Sequence, residues 1–288
     1  MPPERKLRAA VIGAGLLGID LAERLTRSPM LSCALVTGRS SSTAGLRRAA
    51  RMGCATSTDG IDAVADSDID VVFDASNAAA HPAHWADLIS AGVLLVNLTP
   101  SGGGTMVAPT INGHRAESSR HLSLVSCGGQ AVLPVLDVVA RYCTPQYIEV
   151  LTTVAAASVG RATLLNLDEY IATTEYAMRR LTHTPDVKVL TNISPALPAP
   201  VFRAQISVVA DDIRTEYMRA GVETAAAAVH AFAPGYKVVS SSVEDGLITI
   251  CVNVTARGGR LPAYAGNVEI INAAAVLLAE RHATARNE

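Results

Sequence analysis

A glycine-rich motif near the start of the chain limits the possible folds more than any other feature. It follows an apolar run over residues 7–12 and consists of Gly13, Ala14, Gly15, Leu16, Leu17 and Gly18. Apolar residues at helical spacing continue over residues 19–25. A strand, the pattern G-x-G-x-x-G and a helix, in this order, are typical of a dinucleotide-binding α/β unit, because the glycines allow a tight turn, close approach of a pyrophosphate and helix packing. We therefore predict that these residues contact a dinucleotide, in preference to forming a glycine-rich turn without a ligand.

The loop after the second predicted strand, residues 32–37, bears on which dinucleotide is bound. An NAD-binding protein often carries Asp or Glu about 20 residues beyond the motif, to bond the ribose 2′-hydroxyl. No acid stands there in this chain, and Arg39 and Ser40 follow the strand instead. An arginine beside hydroxyls suits the 2′-phosphate of NADP, but a polar loop that ignores the ribose explains the same residues equally well. Both NAD and NADP therefore stay open.

A second constrained stretch surrounds Cys127. Residues 121–125 are predicted to form a strand and residues 132–142 a helix, so Cys127 lies between a strand end and a helix start, followed by two glycines. The N–H groups and positive dipole end of a helix N-terminus favour a thiolate, and the glycines leave room for a substrate near the backbone. We expect Cys127 to be a nucleophile beside a backbone oxyanion hole. The alternative is a buried structural cysteine.

The remaining pattern predicts two domains. Apolar strands alternate with helical segments as far as residue 144, which indicates a Rossmann-type α/β fold with a parallel sheet. Beyond it come several longer strands and two helices, which indicate an α+β domain. We expect a dinucleotide-binding domain over residues 1–144, a catalytic and dimerisation domain over residues 145–264, and a C-terminal helix over residues 265–288 that returns to the first domain.

Composition excludes several classes of function. The chain has 288 residues, 49% of them hydrophobic, and a formal charge of -2 without a basic block, so a nucleic-acid partner is not expected. The five cysteines contain no C-x-x-C pair, so neither a disulfide framework nor a zinc site is indicated. Every apolar run is too short to span a membrane, and a secretory signal is not apparent. These features predict a cytoplasmic protein.

Two histidines, His81 and His84, begin a predicted helix at a spacing that can bind a metal. A third ligand is not apparent nearby, so we interpret them as a solvated helix face and expect no metal site.

Taken together, these features resemble the acylating acetaldehyde dehydrogenases that partner 4-hydroxy-2-oxovalerate aldolase in bacterial aromatic degradation. The resemblance extends over almost the whole chain. It rests on the segments VIGAGLLGIDL (11–21), GLRRAARMG (45–53), VFDAS (72–76), NLTP (97–100), SCGGQA (126–131), NLDEY (166–170), PGY (234–236) and LPAYAGNVEI (261–270).

The resemblance implies that Cys127 attacks an aldehyde, that hydride leaves to a nicotinamide, and that coenzyme A releases the acyl group from the resulting thioester. It also implies the reverse reduction of an acyl-CoA or carrier-protein thioester, a homodimer, and a possible aldolase partner. Nucleotide contacts in the family correspond to the glycine motif, to Ser158, Gly160 and Asn166 of the second domain, and to Asn267 of the C-terminal helix.

The chain departs from the family where chemistry is expected. An Arg-Asp-Thr triplet, whose Asp is the family's proposed base, reads Arg203-Ala204-Gln205 here, and the loop from Ser158 to Leu164 is also altered. Candidates for a replacement base are Asp211, Asp212 and His230, whose positions relative to the thiol do not follow from the sequence. The alternatives are therefore a catalytically weak homologue that serves an aldolase as a binding subunit, and a dehydrogenase without a covalent step.

Overall fold

The structure, a computed structural model, describes residues 5–41, 43–257 and 259–287; of residues 161, 162 and 287 it gives the backbone alone. The outermost residues of the predicted ranges 1–144 and 265–288 lie outside the described residues. The chain divides into two compact units, Met1–Leu124 with Ala274–Glu288, and Val125–Ala273. This division groups the helix after Cys127 with the second sheet, whereas the functional border between residues 144 and 145 stays a prediction.

The first unit is built on a seven-stranded sheet in which every pair of neighbouring strands is parallel. Its strand order is β3-β2-β1-β4-β5-β7-β6. The strands are β1 (Leu7–Ile12), β2 (Leu31–Thr37), β3 (Ala55–Ser57), β4 (Val71–Asp74), β5 (Leu94–Asn97), β6 (Thr105–Val107) and β7 (His121–Leu124). The central strands are buried on both faces, which explains why they read as continuous apolar runs.

Helices lie in the connections between consecutive strands, except between β5 and β6, and such crossovers are typical of a parallel sheet. The helices are α1 (Leu16–Arg27), α2 (Ala44–Arg51), α3 (Asp62–Ala65), α4 (His81–Leu88) and α5 (Pro109–Asn112), with a 3₁₀ turn at Gly113–Glu117. One core cluster lies between sheet and helices, with the buried residues Ala10, Ile12, Leu35, Val64, Ile69, Val72, Leu88, Val93 and Leu95.

The second unit combines a five-stranded mixed sheet with helices on one of its faces. The helices are α6 (Cys127–Arg141), α7 (Arg161–Leu165), α8 (Leu167–Thr182) and α9 (Thr215–Phe232). The strands, in the order β11-β12-β10-β8-β9, are β8 (Thr144–Ala155), β9 (Asp186–Ser194), β10 (Phe202–Asp211), β11 (Tyr236–Glu244) and β12 (Leu247–Val254). Buried and exposed residues alternate along β10 and β12 because helices cover one face and leave the other open.

The last helix, α10 (Gly266–Asn287), begins in the second unit and ends in the first. Within the first unit, His282 Nδ1 donates to the carbonyl oxygen of Ala116 at 2.8 Å, and Arg281 donates to that of Pro109 at 2.9 Å. Ser28 Oγ donates to Glu280 Oε1 at 2.6 Å. These bonds attach the C-terminal part of the chain to the N-terminal unit.

The predicted fold class, a Rossmann-type parallel sheet followed by an α+β region and a returning C-terminal helix, is confirmed. Within the described ranges, no helix combines the length and apolar character that a membrane span needs.

Candidate active site

Cys127 is the first residue of α6, in the position that the sequence predicted. Ser126 caps the helix, since its hydroxyl oxygen accepts the Gly129 N–H at 2.8 Å. The backbone N–H groups of Cys127 and Gly128 act on the thiol and lower its pKa. Two backbone donors therefore lie where negative charge develops at the sulfur.

A hydroxyl chain holds the cap in one orientation. Thr174 Oγ1 lies 2.6 Å from the carbonyl oxygen of Tyr170, which can only accept, so the Thr174 proton is used there. The Ser126 and Thr174 hydroxyl oxygens are 2.8 Å apart. Ser126 must therefore donate to Thr174, and its oxygen is left to accept the Gly129 N–H.

Tyr170, on α8, is the side chain beside the thiol that sequence reasoning missed. Its hydroxyl oxygen lies 4.0 Å from Cys127 Sγ, and Tyr170 is 8% exposed. A Cβ atom at Gly128 would lie 2.2 Å from that oxygen, so a glycine is required there. The segment NLDEY placed Tyr170 in a family motif, but only the packing of α8 on α6 brings its hydroxyl to Cys127.

The ionisation of the thiol differs from the expectation. Burial raises the pKa of Cys127 to about 11, while the Tyr170 hydroxyl and the two N–H groups act in the opposite direction. The backbone donors thus favour the thiolate as the sequence predicts, but desolvation of the thiolate outweighs them and the net pKa is raised.

The position of the family's carboxylate is buried and apolar. Ala204 is 1% exposed and pairs in register with Thr152 on the neighbouring strand β8. Register partners of antiparallel strands have side chains on the same face. Thr152 in turn lies near the phenol, because a Cβ at Gly128 would lie 3.1 Å from Thr152 Cγ2 and 2.2 Å from the Tyr170 oxygen.

The three candidates for a replacement base make contacts elsewhere. Asp211 accepts a hydrogen bond from Gln146 at 3.2 Å, and Asp212 occupies a left-handed turn with φ of 54°. His230 is exposed, and its Nδ1 donates to the carbonyl oxygen of Tyr236 at 3.2 Å. In the part of the chain that the structure describes, no carboxylate or imidazole contributes to the pKa of Cys127.

The glycine motif forms a cradle around the start of α1. Gly13 has a φ of 112°, and a Cβ there would lie 2.6 Å from the carbonyl oxygen of Ala75. A Cβ at Gly18 would lie 1.8 Å from the carbonyl oxygen of Gly13, so the first and third glycines are needed for packing. A Cβ at Gly15, by contrast, would meet no atom within 4 Å. The second glycine therefore borders open space at the N-terminus of a helix, which is the geometry that a pyrophosphate requires.

The other predicted cofactor residues are divided between the two units. In the first unit, Arg39 and Ser40 are exposed after β2. In the second unit, Ser158 Oγ donates to the carbonyl oxygen of Ala155 at 2.9 Å, and Gly160 borders open space. Asn166 caps α8.

Asn267 stands out among these residues. It is 8% exposed, and its Oδ1 has no hydrogen-bond partner among the described residues. A buried amide oxygen without a donor is costly, and a ligand that donates a hydrogen bond there would relieve the cost.

The histidines of α4 are not a solvated face, as the sequence analysis had interpreted them. Nδ1 of His81 and Nδ1 of His84 each lie 2.8 Å from Asp74 Oδ2, and Asp74 is fully buried at the end of β4. His81 Nε2 lies 2.9 Å from His121 Nε2. The buried carboxylate attracts both rings inward, because a buried charge needs donors. Among the described residues, no group of three or more His, Cys, Asp or Glu is arranged to hold a metal ion.

Sheet topology, glycine cradle and thiol define the class: a nucleotide-dependent dehydrogenase with a cysteine at a helix N-terminus. The profile described as "Prokaryotic acetaldehyde dehydrogenase, dimerisation" matches residues 127–262. An acetaldehyde dehydrogenase of Streptomyces griseus subsp. griseus is 50% identical over 95% of this chain and 89% of its own length. Acetaldehyde dehydrogenase 2 of Salinispora arenicola is 38% identical over 95% of both chains. The chain belongs to the prokaryotic acetaldehyde dehydrogenase family.

Two solved structures share the fold at low sequence identity. A probable aspartate-semialdehyde dehydrogenase from Pseudomonas aeruginosa has a TM-score of 0.70 at 16% identity, over 96% of this chain and 98% of that one. Aspartate semialdehyde dehydrogenase II from Vibrio cholerae has a TM-score of 0.63 at 14% identity, with the same coverage. The predicted family and enzyme class are confirmed by the sequence relatives, and the fold by these structures.

Proposed function

We propose that this chain interconverts a short aldehyde and an acyl-CoA through a thioester on Cys127. The observation that carries the proposal is the position of Cys127 at the start of α6, with the N–H groups of Cys127 and Gly128 directed at its sulfur. Such donors stabilise the negative charge of a thiolate and of an oxyanion formed beside it.

In the proposed reaction, the Cys127 thiol loses its proton to solvent, and Sγ bonds to the aldehyde carbon to give a thiohemiacetal oxyanion. When bound, the nicotinamide would supply the hydride acceptor. As the oxyanion collapses, the C–H bond of the same carbon breaks, its electron pair leaves as hydride, and an acyl thioester remains on Cys127. The coenzyme A thiol loses its proton to solvent, its sulfur attacks this thioester, and Cys127 leaves as a thiolate. In the opposite direction, Cys127 accepts the acyl group from coenzyme A or from a carrier-protein thioester.

The residues present fit a dinucleotide. Gly15 borders open space at the N-terminus of α1, and Gly13 and Gly18 leave no room for a side chain. These features support the proposal that the turn with Ala14, Leu16 and Leu17 binds the pyrophosphate. In the second unit, the buried Asn267 Oδ1 suits a ligand N–H donor. Ser158, Gly160 and Asn166 stay part of the same proposal through their correspondence to the family's contacts.

Arg39 provides a test of NADP use. If Arg39 and Ser40 bind the 2′-phosphate, Arg39→Ala should raise the KM for NADPH about tenfold or more and leave the KM for NADH unchanged, because a hydrogen bond to a charged group is lost. Equal KM changes for both nucleotides would instead identify the segment as a polar loop without a role in selection.

The proposed reaction is tested by mixing acetyl-CoA, and then longer acyl-CoA thioesters, with NADH or NADPH and following loss of the reduced nucleotide. We expect turnover by the native chain and at least a thousandfold loss in Cys127→Ser, since the nucleophile is removed. Cys143→Ser is the matched control, because Cys143 follows the opposite end of α6 and donates to the carbonyl oxygen of Val139. Full turnover by Cys127→Ser would refute the covalent mechanism.

The same assay addresses the alternative function, which Ala204 motivates. A binding subunit for an aldolase would show no thioester-dependent oxidation of NADH or NADPH. It would co-purify with a 4-hydroxy-2-oxovalerate aldolase-like partner produced in the same cells.

We also propose a homodimer formed through the open face of the second sheet. The match to a dimerisation profile supports it, as does a row of apolar residues across three adjacent strands of that face. Val209 and Leu247 are register partners and are 45% and 42% exposed, and Tyr147 pairs with Val209 on the other side. Apolar side chains in such a row are stabilised when a second copy covers them.

A further inference from the structure

Among the described residues, the phenol of Tyr170 is the one ionisable side chain that affects the pKa of the Cys127 thiol. Its oxygen lies 4.0 Å from Sγ, a long hydrogen bond even for sulfur. A neutral thiol can donate to this oxygen, but a thiolate can only accept. The direction of the bond therefore reverses when the thiol ionises.

Resting on the thioester mechanism above, we propose that Tyr170 is a further catalytic residue, whose hydroxyl donates a hydrogen bond to Cys127 Sγ and stabilises the thiolate. The phenol oxygen lies 4.0 Å from the reacting atom, within hydrogen-bonding reach of a sulfur, so its proposed action on the sulfur is direct.

The surroundings of the phenol keep it a donor. Burial raises the pKa of Tyr170 well above its ordinary value, so the hydroxyl retains its proton and does not serve as a base. The Thr152 and Ser126 hydroxyls act to lower this pKa, but burial outweighs them.

Packing fixes the position of the hydroxyl. A Cβ at Gly128 would lie 2.2 Å from the phenol oxygen and 3.1 Å from Thr152 Cγ2, so the hydroxyl lies directly against the first turn of α6. Tyr236, from β11, donates to the carbonyl oxygen of Ala131 at 2.8 Å and holds that turn from another side. The phenol and the sulfur are thus held by rigid elements of one unit.

This arrangement gives the departure at Ala204 a chemical consequence. Ala204 pairs with Thr152, which lies near the phenol, so a carboxylate at that position would stand on the strand next to the Tyr170 hydroxyl. Without it, the described groups that favour the thiolate are the phenol and the N–H groups of Cys127 and Gly128. Removal of the phenol should therefore have a large effect on the thiol.

The test measures the thiol itself. The native chain, Tyr170→Phe and the control Tyr176→Phe are treated with iodoacetamide over a range of pH without substrate or nucleotide, and labelling of Cys127 is followed by peptide mass spectrometry. Tyr176 lies on the same helix and is 60% exposed. We expect labelling of Tyr170→Phe to be about tenfold slower near neutral pH, with its pH profile displaced upward. Tyr176→Phe should match the native chain. An unchanged rate and profile in Tyr170→Phe would overturn the proposal.

A second variant should increase the reactivity of the Cys127 thiol instead of decreasing it. Fluorine beside the hydroxyl makes a phenol a stronger donor, so 3-fluorotyrosine at position 170 should speed labelling and displace the profile downward. Equal labelling of the fluorinated and native proteins would count against a donor role, and this comparison does not depend on whether Tyr170→Phe folds.

The labelling result is independent of the proposed reaction. If the native chain does not oxidise NADH or NADPH when a thioester is added, the proposed reaction is refuted. If it does, but the native chain and Tyr170→Phe are labelled at the same rate, only the role of Tyr170 is refuted.

Discussion

For the single residue Cys127, two opposing features determine how readily the thiol ionises. Cys127 is the first residue of α6, where burial raises the pKa of the thiol and the backbone N–H groups of Cys127 and Gly128 act to lower it. The raised pKa of its thiol and the contact with Tyr170, 43 positions away, depend on how α8 packs on α6. Local sequence patterns predict neither the burial of a side chain nor its contacts with residues so far away in the chain.

Gly128 offers a residue-scale prediction about packing. Gly128→Ala should destabilise the chain by about 2 kcal/mol, because overpacking typically costs 1–3 kcal/mol. In the double variant with Tyr170→Phe, the hydroxyl 2.2 Å from the new Cβ is gone, and at least half of that loss should be recovered. Denaturant unfolding of the four proteins measures both values. Strictly additive losses would mean that the hydroxyl does not lie against Gly128.

At the scale of elements, the main strands and helices follow from apolar periodicity and glycine position. The apolar pattern over residues 247–254 predicts a strand, which matches β12. The helical patterns over residues 166–181 and 214–232 predict two long helices, and α8 and α9 differ from these bounds by single residues. The short elements β3, β6, α3, α5 and α7 were not predicted, because three to five residues carry no clear period.

The connection from β4 to α4 shows why the histidines were misinterpreted. Asp74 ends a buried strand, and Ser76, His81 and His84 all hydrogen-bond to its carboxylate. These donors hold the pKa of Asp74 well below its ordinary value, against the effect of burial, which raises it. The spacing of two histidines cannot reveal that an aspartate seven residues earlier faces them.

This network predicts a pH dependence of stability. Burial lowers the pKa of His121 to about 4, from an ordinary value of about 6.5. The unfolded chain therefore binds a proton that the folded chain does not, and stability falls as pH falls from about 6.5 to about 4. In His121→Gln, the loss of stability between these pH values that His121 causes should disappear, while the glutamine amide can still donate a hydrogen bond to His81. Thermal melting at several pH values measures it, and parallel curves for the two proteins would contradict the assignment.

At the scale of the whole molecule, the proposed dimer face leads to a specific prediction. Val209→Asp should convert the proposed dimer to monomers. In the dimer the new carboxylate would be buried among apolar residues, whereas in the single chain position 209 is exposed and the charge stays in water. Ala227→Asp is the matched control, since Ala227 is exposed on α9, on the helical side of the sheet. Sedimentation analysis distinguishes the two forms. A dimer that survives Val209→Asp would exclude this face.

The family, the enzyme class and the fold were all predictable because their motifs are spread along the entire chain. What the motifs did not predict is the environment of the thiol, namely its burial and the phenol that lies 4.0 Å from it.

The proposed function requires that Cys127 carry an acyl group during the reaction. This is tested by mixing the native chain with acetyl-CoA in the absence of reduced nucleotide, quenching in acid, and mapping the modified peptides by mass spectrometry. We expect one acetyl group on the peptide that contains Cys127, removed again when free coenzyme A is added before the quench. A chain that oxidises NADH or NADPH with acetyl-CoA, yet carries no acetyl group on Cys127, would contradict the proposed function.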